Sequence, residues 1–91
     1  DFGRTPKVNG NGGRDHHPGV YSLAFAGGGI HGGQVYGSSD RKGAEPGSDA
    51  CSPADIHATV FKAMGIDHNA ELHDQLDRPY RICEGEPLPI V

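Results

Sequence analysis

The sequence predicts a loop-rich chain of the α/β class, on three observations. A segment at 20–26 is apolar and contains aromatic and β-branched residues, which is typical of a buried strand inside a parallel or mixed sheet. A second segment, at 53–64, carries the start and stop signals of a helix. The remainder is rich in turn formers, with 15 Gly and 7 Pro in 91 residues, so loops should outweigh regular structure.

The composition predicts a small core. Only 34% of the residues are hydrophobic and Trp is absent. A chain of this length buries only about 60% of the surface that its unfolded form exposes. The composition therefore favours a segment that packs on sequence missing here, or else a very loop-rich domain.

The charge pattern excludes several partner classes. The net charge is −4 and the eight basic residues are scattered, whereas binding to nucleic acid or an anionic membrane needs clustered Lys and Arg. No apolar run approaches the length of a membrane span. Two cysteines, Cys51 and Cys83, leave open whether a disulfide forms or both thiols stay free.

Taken in order, the first half of the chain alternates between loops and short strands. Residues 1–19 have no periodic apolar pattern and are expected to form a loop. The strand predicted at 20–26 ends at three consecutive glycines, and 30–36 is predicted to be a turn and a short second strand. Residues 37–51 return to polar loop composition.

The helix is the element with the most local signals. Ser52 is a suitable N-cap, Pro53 suits the first helical position, and Asp55 places negative charge in the first turn. Gly65 is expected to end the helix in a left-handed conformation. An apolar stripe with helical spacing is expected to face the core: Ile56, Val60, Ala63 and Met64.

Two weaker elements are predicted after the helix. Residues 71–76 have the composition of a helical turn. Residues 78–83 are predicted to form a short edge strand, where a proline is tolerated.

The opening segment, "DFGRTPKVNGNGGRDHHPGV", carries the residues with chemical potential. Imidazole and carboxylate groups are ligands for zinc and for harder divalent ions. The adjacent His16 and His17 should point in opposite directions on an extended chain, so one of them is expected to ligate and the other to assist. Solvated surface histidines are the alternative. Arg4 forms either a weak loop salt bridge with Asp1 or a clamp for phosphate or sulfate.

Three blocks of the sequence together resemble a known family. They are "DFGRTPKVNGNGGRDHHPGVYSLAFAGGGIHGGQVYGSSDRKGA", "SPADIHATVFKAMGID" and "ELHDQLDRPYRICEGEPL". In this order they resemble the C-terminal part of an uncharacterised bacterial family of sulfatase-like proteins in the alkaline phosphatase superfamily. The resemblance implies a mostly parallel sheet flanked by helices and hydrolysis of phosphate or sulfate esters at a metal centre. It also implies that residues 1–91 are the incomplete C-terminal portion of a single domain, whose partner is the missing N-terminal part of that domain.

The resemblance also implies site residues. Asp1 matches the acid of a strand-end motif and Gly3 its glycine, but Phe2 stands where relatives place His or Asn, so one ligand is lost. His16 matches a later ligand, with His17 as second choice. The implied cofactor is a divalent ion, Zn, Ca, Mg or Mn. The anion-binding role of Arg4 is our own inference.

These observations leave two main functions open. The first is a fragment of a metal-dependent hydrolase acting on small sulfate or phosphate esters; no catalytic nucleophile is recognised in the chain, so the fragment alone should be inactive. The second is a non-catalytic binding or structural protein of the same fold with a degraded metal site. A third and weaker alternative is an independent metal-binding module. The resemblance implies a periplasmic or extracellular setting.

Overall fold

The computed structural model describes residues 2–91, which form one α-helix and three short antiparallel strand pairs. The elements are β1 (Gly3–Arg4), β2 (His16–His17), β3 (Ser38–Ser39), β4 (Pro46–Ser48), α1 (Pro53–Ala63), β5 (Glu71–His73) and β6 (Pro79–Arg81). The chain divides into two compact units. The first unit contains residues up to Ala24 together with Val35–Ala50, and the second contains Phe25–Gln34 and Cys51–Val91.

The predicted fold class is wrong. In place of a mostly parallel sheet flanked by helices, the strands form three separate antiparallel pairs, β1 with β2, β3 with β4 and β5 with β6. The segments 20–26 and 30–36 form no strand. Tyr21 is 40% exposed and Leu23 is 48% exposed, so apolar composition did not lead to burial. A parallel pair needs a crossover connection of a dozen or more residues, whereas antiparallel pairing can use nearby sequence.

The first unit contains the first two strand pairs. β1 and β2 pair in the register Gly3↔His17 and Arg4↔His16, and β3 and β4 pair with a register shift at Ser38/Ser39. The glycine-rich connection between β1 and β2 was predicted to be loop throughout. Residues 5–15 are loop and turn, as predicted, and a backbone hydrogen bond of 2.9 Å from the Thr5 N–H to the Asp15 carbonyl closes them, which makes the opening segment a long hairpin.

The helix prediction is confirmed, with its end one residue earlier than expected. Ser52 is the N-cap, and its hydroxyl accepts from the Asp55 N–H at 3.3 Å. The Asp55 carboxylate in turn accepts from the Ser52 N–H at 2.8 Å, which completes a capping box. Gly65 has a φ of 78°, the left-handed conformation that was predicted for the stop.

The buried face of α1 differs from the predicted stripe. Val60 is 38% exposed and Met64 is 70% exposed, while Ala58 and Thr59 are fully buried. The C-terminal segment covers this face: the Leu88 N–H donates to Thr59 Oγ1 at 2.9 Å. Small side chains let the backbone of that segment approach the helix, so packing selected Ala58 and Thr59 over the larger apolar residues.

The same segment supplies the rest of the core. Its buried hydrophobic residues are Cys83, Leu88 and Ile90. The Glu86 N–H donates to Asp55 Oδ1 at 2.9 Å, and Cys83 Sγ lies 3.2 Å from the Ala54 carbonyl oxygen, to which it donates. Hydrogen bonds to the first turns of α1 therefore hold the C-terminal segment on the helix.

The third strand pair replaces a predicted helical turn. Residues 71–76 were expected to be helical, but Glu71–His73 forms β5 and pairs with β6. The Asp74 carboxylate accepts from the N–H groups of Leu76 and Arg78, both at 2.9 Å, and so folds the chain into a tight turn. The predicted edge strand at 78–83 is confirmed as Pro79–Arg81.

Two further expectations concern cysteines and membranes. Cys51 is exposed, Cys83 is buried, and both are free thiols. Across residues 2–91, the helix falls short of the length and apolar character that a membrane crossing requires.

A glycine substitution tests the packing of the C-terminal segment on α1. A Cβ added at Gly85 would collide with the backbone of Ala54 and Asp55, whereas one added at Gly28 would meet nothing within 4 Å. We expect Gly85→Ala to lower the free energy of unfolding of the complete protein by about 1–3 kcal/mol, as overpacking does. Urea denaturation measures this. A Gly28→Ala control that loses as much stability would contradict the packing described.

The capping carboxylate of α1 makes stability pH-dependent. Hydrogen bonds from the backbone of Glu86 and then of Ser52 lower the pKa of Asp55. A lowered folded-state pKa gives stability that is present above the unfolded-state pKa, about 4, and that is lost as pH falls through the folded value. We therefore expect the stability advantage of wild type over Asp55→Asn to shrink below about pH 4.

Thermal melts of the complete protein at several pH values measure this difference. Asp49→Asn, at an exposed position, is the control. A wild-type advantage over Asp55→Asn that stays constant down to about pH 2 would show that the Asp55 charge does not stabilise the helix start.

Candidate functional site

The hairpin of β1 and β2 gathers one aromatic and two basic side chains on one face. Arg4 and His16 are cross-strand partners, and Phe2 lies two residues before Arg4. The ring centroids of Phe2 and His16 are 3.6 Å apart with the planes tilted by 33°. The Arg4 guanidinium carbon lies 5.1 Å from the centroid of the Phe2 ring, within the range of a cation–π contact. We call Phe2, Arg4 and His16 the Arg4 face.

Arg4 is held but still has donors to offer. Its Nη1 donates to the Arg14 carbonyl at 3.2 Å, and the residue is exposed. A guanidinium carries five N–H donors in a planar fork that matches carboxylate, sulfate or phosphate oxygens. This arrangement can therefore bind an anion while the Phe2 ring supports the guanidinium.

His17 lies on the opposite face of the hairpin, as expected of adjacent residues in a strand. It is half-buried, and its Nε2 lies 2.7 Å from the Ala44 carbonyl oxygen. Because a carbonyl only accepts, Nε2 carries the proton in this contact, which leaves Nδ1 as the acceptor of a neutral ring. His17 thus connects the hairpin to the turn that precedes β4.

Two glycines make this close packing possible. A Cβ at Gly19 would lie 2.6 Å from the Ala44 carbonyl oxygen and 2.8 Å from His17 Nε2. A Cβ at Gly3 would lie 2.9 Å from the His17 carbonyl oxygen and would also collide with the Val20 carbonyl. Both glycines are therefore required by space around His17.

The turn that presents Ala44 is organised by Asp40. Asp40 Oδ1 accepts from the Lys42 N–H at 3.1 Å and from the Ala44 N–H at 2.9 Å. These backbone hydrogen bonds, above all the one from Ala44, lower the pKa of the Asp40 carboxyl. The carboxylate is thus the form that the turn stabilises.

The structure brings together only part of the predicted site. Arg4 and His16 share a face, while His17, the second-choice ligand, does not share it. Asp1, the predicted carboxylate ligand, lies outside the described residues. Within residues 2–91, no group of three or more His, Cys, Asp or Glu side chains is arranged to hold a metal ion.

Sequence reasoning missed the contribution of residues 40–44. An aspartate followed by glycine three positions later, as in Asp40 and Gly43, is typical of a turn and was the available signal. Nothing in the sequence linked that turn to His17, which is 27 positions away from Ala44.

Comparison with known proteins gives one family. Residues 1–90 match the family described as "Protein of unknown function (DUF1501)". No curated protein and no solved structure matches the chain. The expected membership of a sulfatase-like family of the alkaline phosphatase superfamily is therefore wrong, because the family that matches nearly the whole chain is a distinct one.

A glycine substitution tests the placement of His17. Gly19→Ala should push the Ala44 carbonyl and the His17 ring apart and expose the Nε2–H to solvent exchange. We expect the His17 ring N–H signal in proton NMR spectra of the complete protein in water to be lost in Gly19→Ala. Gly10→Ala, where a Cβ meets nothing within 4 Å, should keep it. Retention of the signal in Gly19→Ala would contradict this contact.

Proposed function

The chain belongs to the DUF1501 family, and we propose that its Arg4 face binds the anionic group of a small sulfate or phosphate ester which the complete protein hydrolyses. The observation that carries the proposal is the pairing of Arg4 with His16 on one face, with Phe2 in contact with both. A guanidinium and an imidazole side by side offer several N–H donors to one tetrahedral anion.

The charge around Arg4 supports an anionic ligand. Among the residues the structure describes, no carboxylate forms an ion pair with Arg4. The Phe2 ring beneath Arg4 limits the directions in which the guanidinium can point. Such a pre-oriented donor stabilises charge that builds on the non-bridging oxygens as an ester bond breaks.

His16 supplies the second polar group of the Arg4 face. Its exposed imidazole can donate to the ester, accept a proton, or ligate a divalent ion. Among residues 2–91, no group of three or more His, Cys, Asp or Glu side chains could hold a metal ion. A divalent ion (Zn, Ca, Mg or Mn) enters the proposal only through the predicted pair of Asp1 and His16.

Kinetics of the complete protein test the proposal. Aryl sulfate and aryl phosphate are assayed with each of the four divalent ions and with a chelator. We expect turnover of at least one ester, and we expect Arg4→Lys to lower kcat/KM by about 100-fold, because lysine keeps the charge but loses the planar fork. His16→Ala should lower it by at least as much.

Matched controls separate this effect from a general loss of charge or of imidazole. Arg41→Lys and His31→Ala change the same residue types at exposed positions, and both should retain wild-type kcat/KM. Equal losses in Arg4→Lys and Arg41→Lys, or full activity of Arg4→Lys, would overturn the assignment of Arg4.

A non-catalytic binding protein is the second proposal, and one observation favours it. The His16 ring lies against the Phe2 ring, with the two ring centroids 3.6 Å apart and the planes tilted by 33°. Stacked rings beside a guanidinium form a binding surface that needs no chemistry. Binding of inorganic phosphate or sulfate that is lost in Arg4→Lys, with no ester turnover under any metal condition, would select this second proposal over the first.

A further inference from the structure

The contact between His17 and Ala44 depends on how the chain turns between residues 40 and 44. Ala44 is held from both sides by one residue: its own N–H donates to Asp40 Oδ1 at 2.9 Å, and the next carbonyl, of Glu45, accepts from the Asp40 N–H at 2.8 Å. The Ala44 carbonyl between these two bonds accepts from His17. We infer that Asp40 is a positioning residue for the Arg4 face, acting through Ala44 and His17.

The tautomer of His17 depends on the Ala44 carbonyl. A fixed carbonyl at 2.7 Å selects the ring form with the proton on Nε2. If the turn loosens, the carbonyl is no longer fixed, and the ring gains both its other tautomer and its other orientations. The state of the His17 ring therefore reports directly on the turn that Asp40 organises.

The anchored His17 ring also orients the side chains on the opposite face of the hairpin. The strands β1 and β2 contain two residues each, and so short a pair has little stability of its own. Anchoring the His17 ring on one side fixes the twist of β2, and with it the direction of His16 and of its cross-strand partner Arg4. Gly3, the partner of His17, lets the anchored side pack closely.

The role of Asp40 differs from that of an ordinary surface aspartate. Asp40 is exposed and has no charged partner among the described residues, so its contribution comes from accepting hydrogen bonds. Asparagine keeps the Oδ1 acceptor and alanine removes it. The role of Asp40 for catalysis rests on the proposed function, but its effect on His17 does not.

The experiment compares Asp40→Ala and Asp40→Asn in the complete protein labelled with ¹⁵N-histidine. Long-range proton–nitrogen spectra give the tautomer of His17, and circular dichroism checks the fold. We expect wild type and Asp40→Asn to have the proton on Nε2, and Asp40→Ala to have mixed tautomers with the overall fold retained. In the ester assay, Asp40→Ala should lower kcat/KM about 10- to 100-fold through misplacement of the Arg4 face.

Asp67→Ala is the matched control, because Asp67 organises a similar turn in the other unit by accepting from the Asn69 N–H at 2.9 Å. It should leave His17 and the kinetics unchanged. A wild-type His17 tautomer in Asp40→Ala, or an Asp40→Asn variant as impaired as Asp40→Ala, would overturn the inference. Absence of ester turnover in wild type would refute the proposed hydrolase alone, since the His17 spectra still decide the role of Asp40.

Discussion

Side-chain oxygens that accept hydrogen bonds from backbone N–H groups hold together a chain whose apolar core is small. Asn9 Oδ1 binds the N–H groups of residues 11 and 13, and Asp40 binds those of residues 42 and 44. Asp55 caps the helix and also accepts from the C-terminal segment, while Asp74 shapes the turn between β5 and β6. Such groups satisfy backbone donors that longer strands would otherwise pair.

This constraint explains why the strands are so short. A turn that is closed by a carboxylate can bring two chain segments together without a long ladder, so β1 and β2 need only two residues each. As a consequence, each strand pair depends on contacts outside its own hydrogen-bond ladder. For the first pair these are the space at Gly3 and Gly19 and the hydrogen bond between His17 and Ala44.

Features held by local contacts could be predicted from the sequence, whereas features held by distant contacts could not. Helix α1 was predictable because Ser52, Pro53 and Gly65 act on their immediate neighbours, so the signals are local. Its buried face was not, because the choice of Ala58 and Thr59 depends on a segment some 30 positions away. The predicted strand at 20–26 failed for a related reason: apolar composition gives a preference for burial but does not supply a pairing partner.

The candidate site shows the same difference between local and distant contacts. That His16 and His17 would point in opposite directions followed from the geometry of an extended chain alone. That Arg4 would lie beside His16 required the intervening segment to close as a hairpin; its many glycines and asparagines had indicated a loop, but not which residues at its two ends would pair. The resemblance to sulfatase-like proteins named the wrong family.

The two adjacent histidines therefore make different contacts, because of their positions in the hairpin and not because of their chemistry. Both rings are imidazoles, but the one that faces Ala44 is committed to a backbone carbonyl and the one that faces Arg4 is exposed. An exposed arginine and histidine on a two-residue ladder would be poorly oriented for binding unless something behind them were fixed. An anion-binding face at Arg4 and His16 would be well oriented only if the hydrogen bond between His17 and Ala44 holds the other side of the hairpin in place.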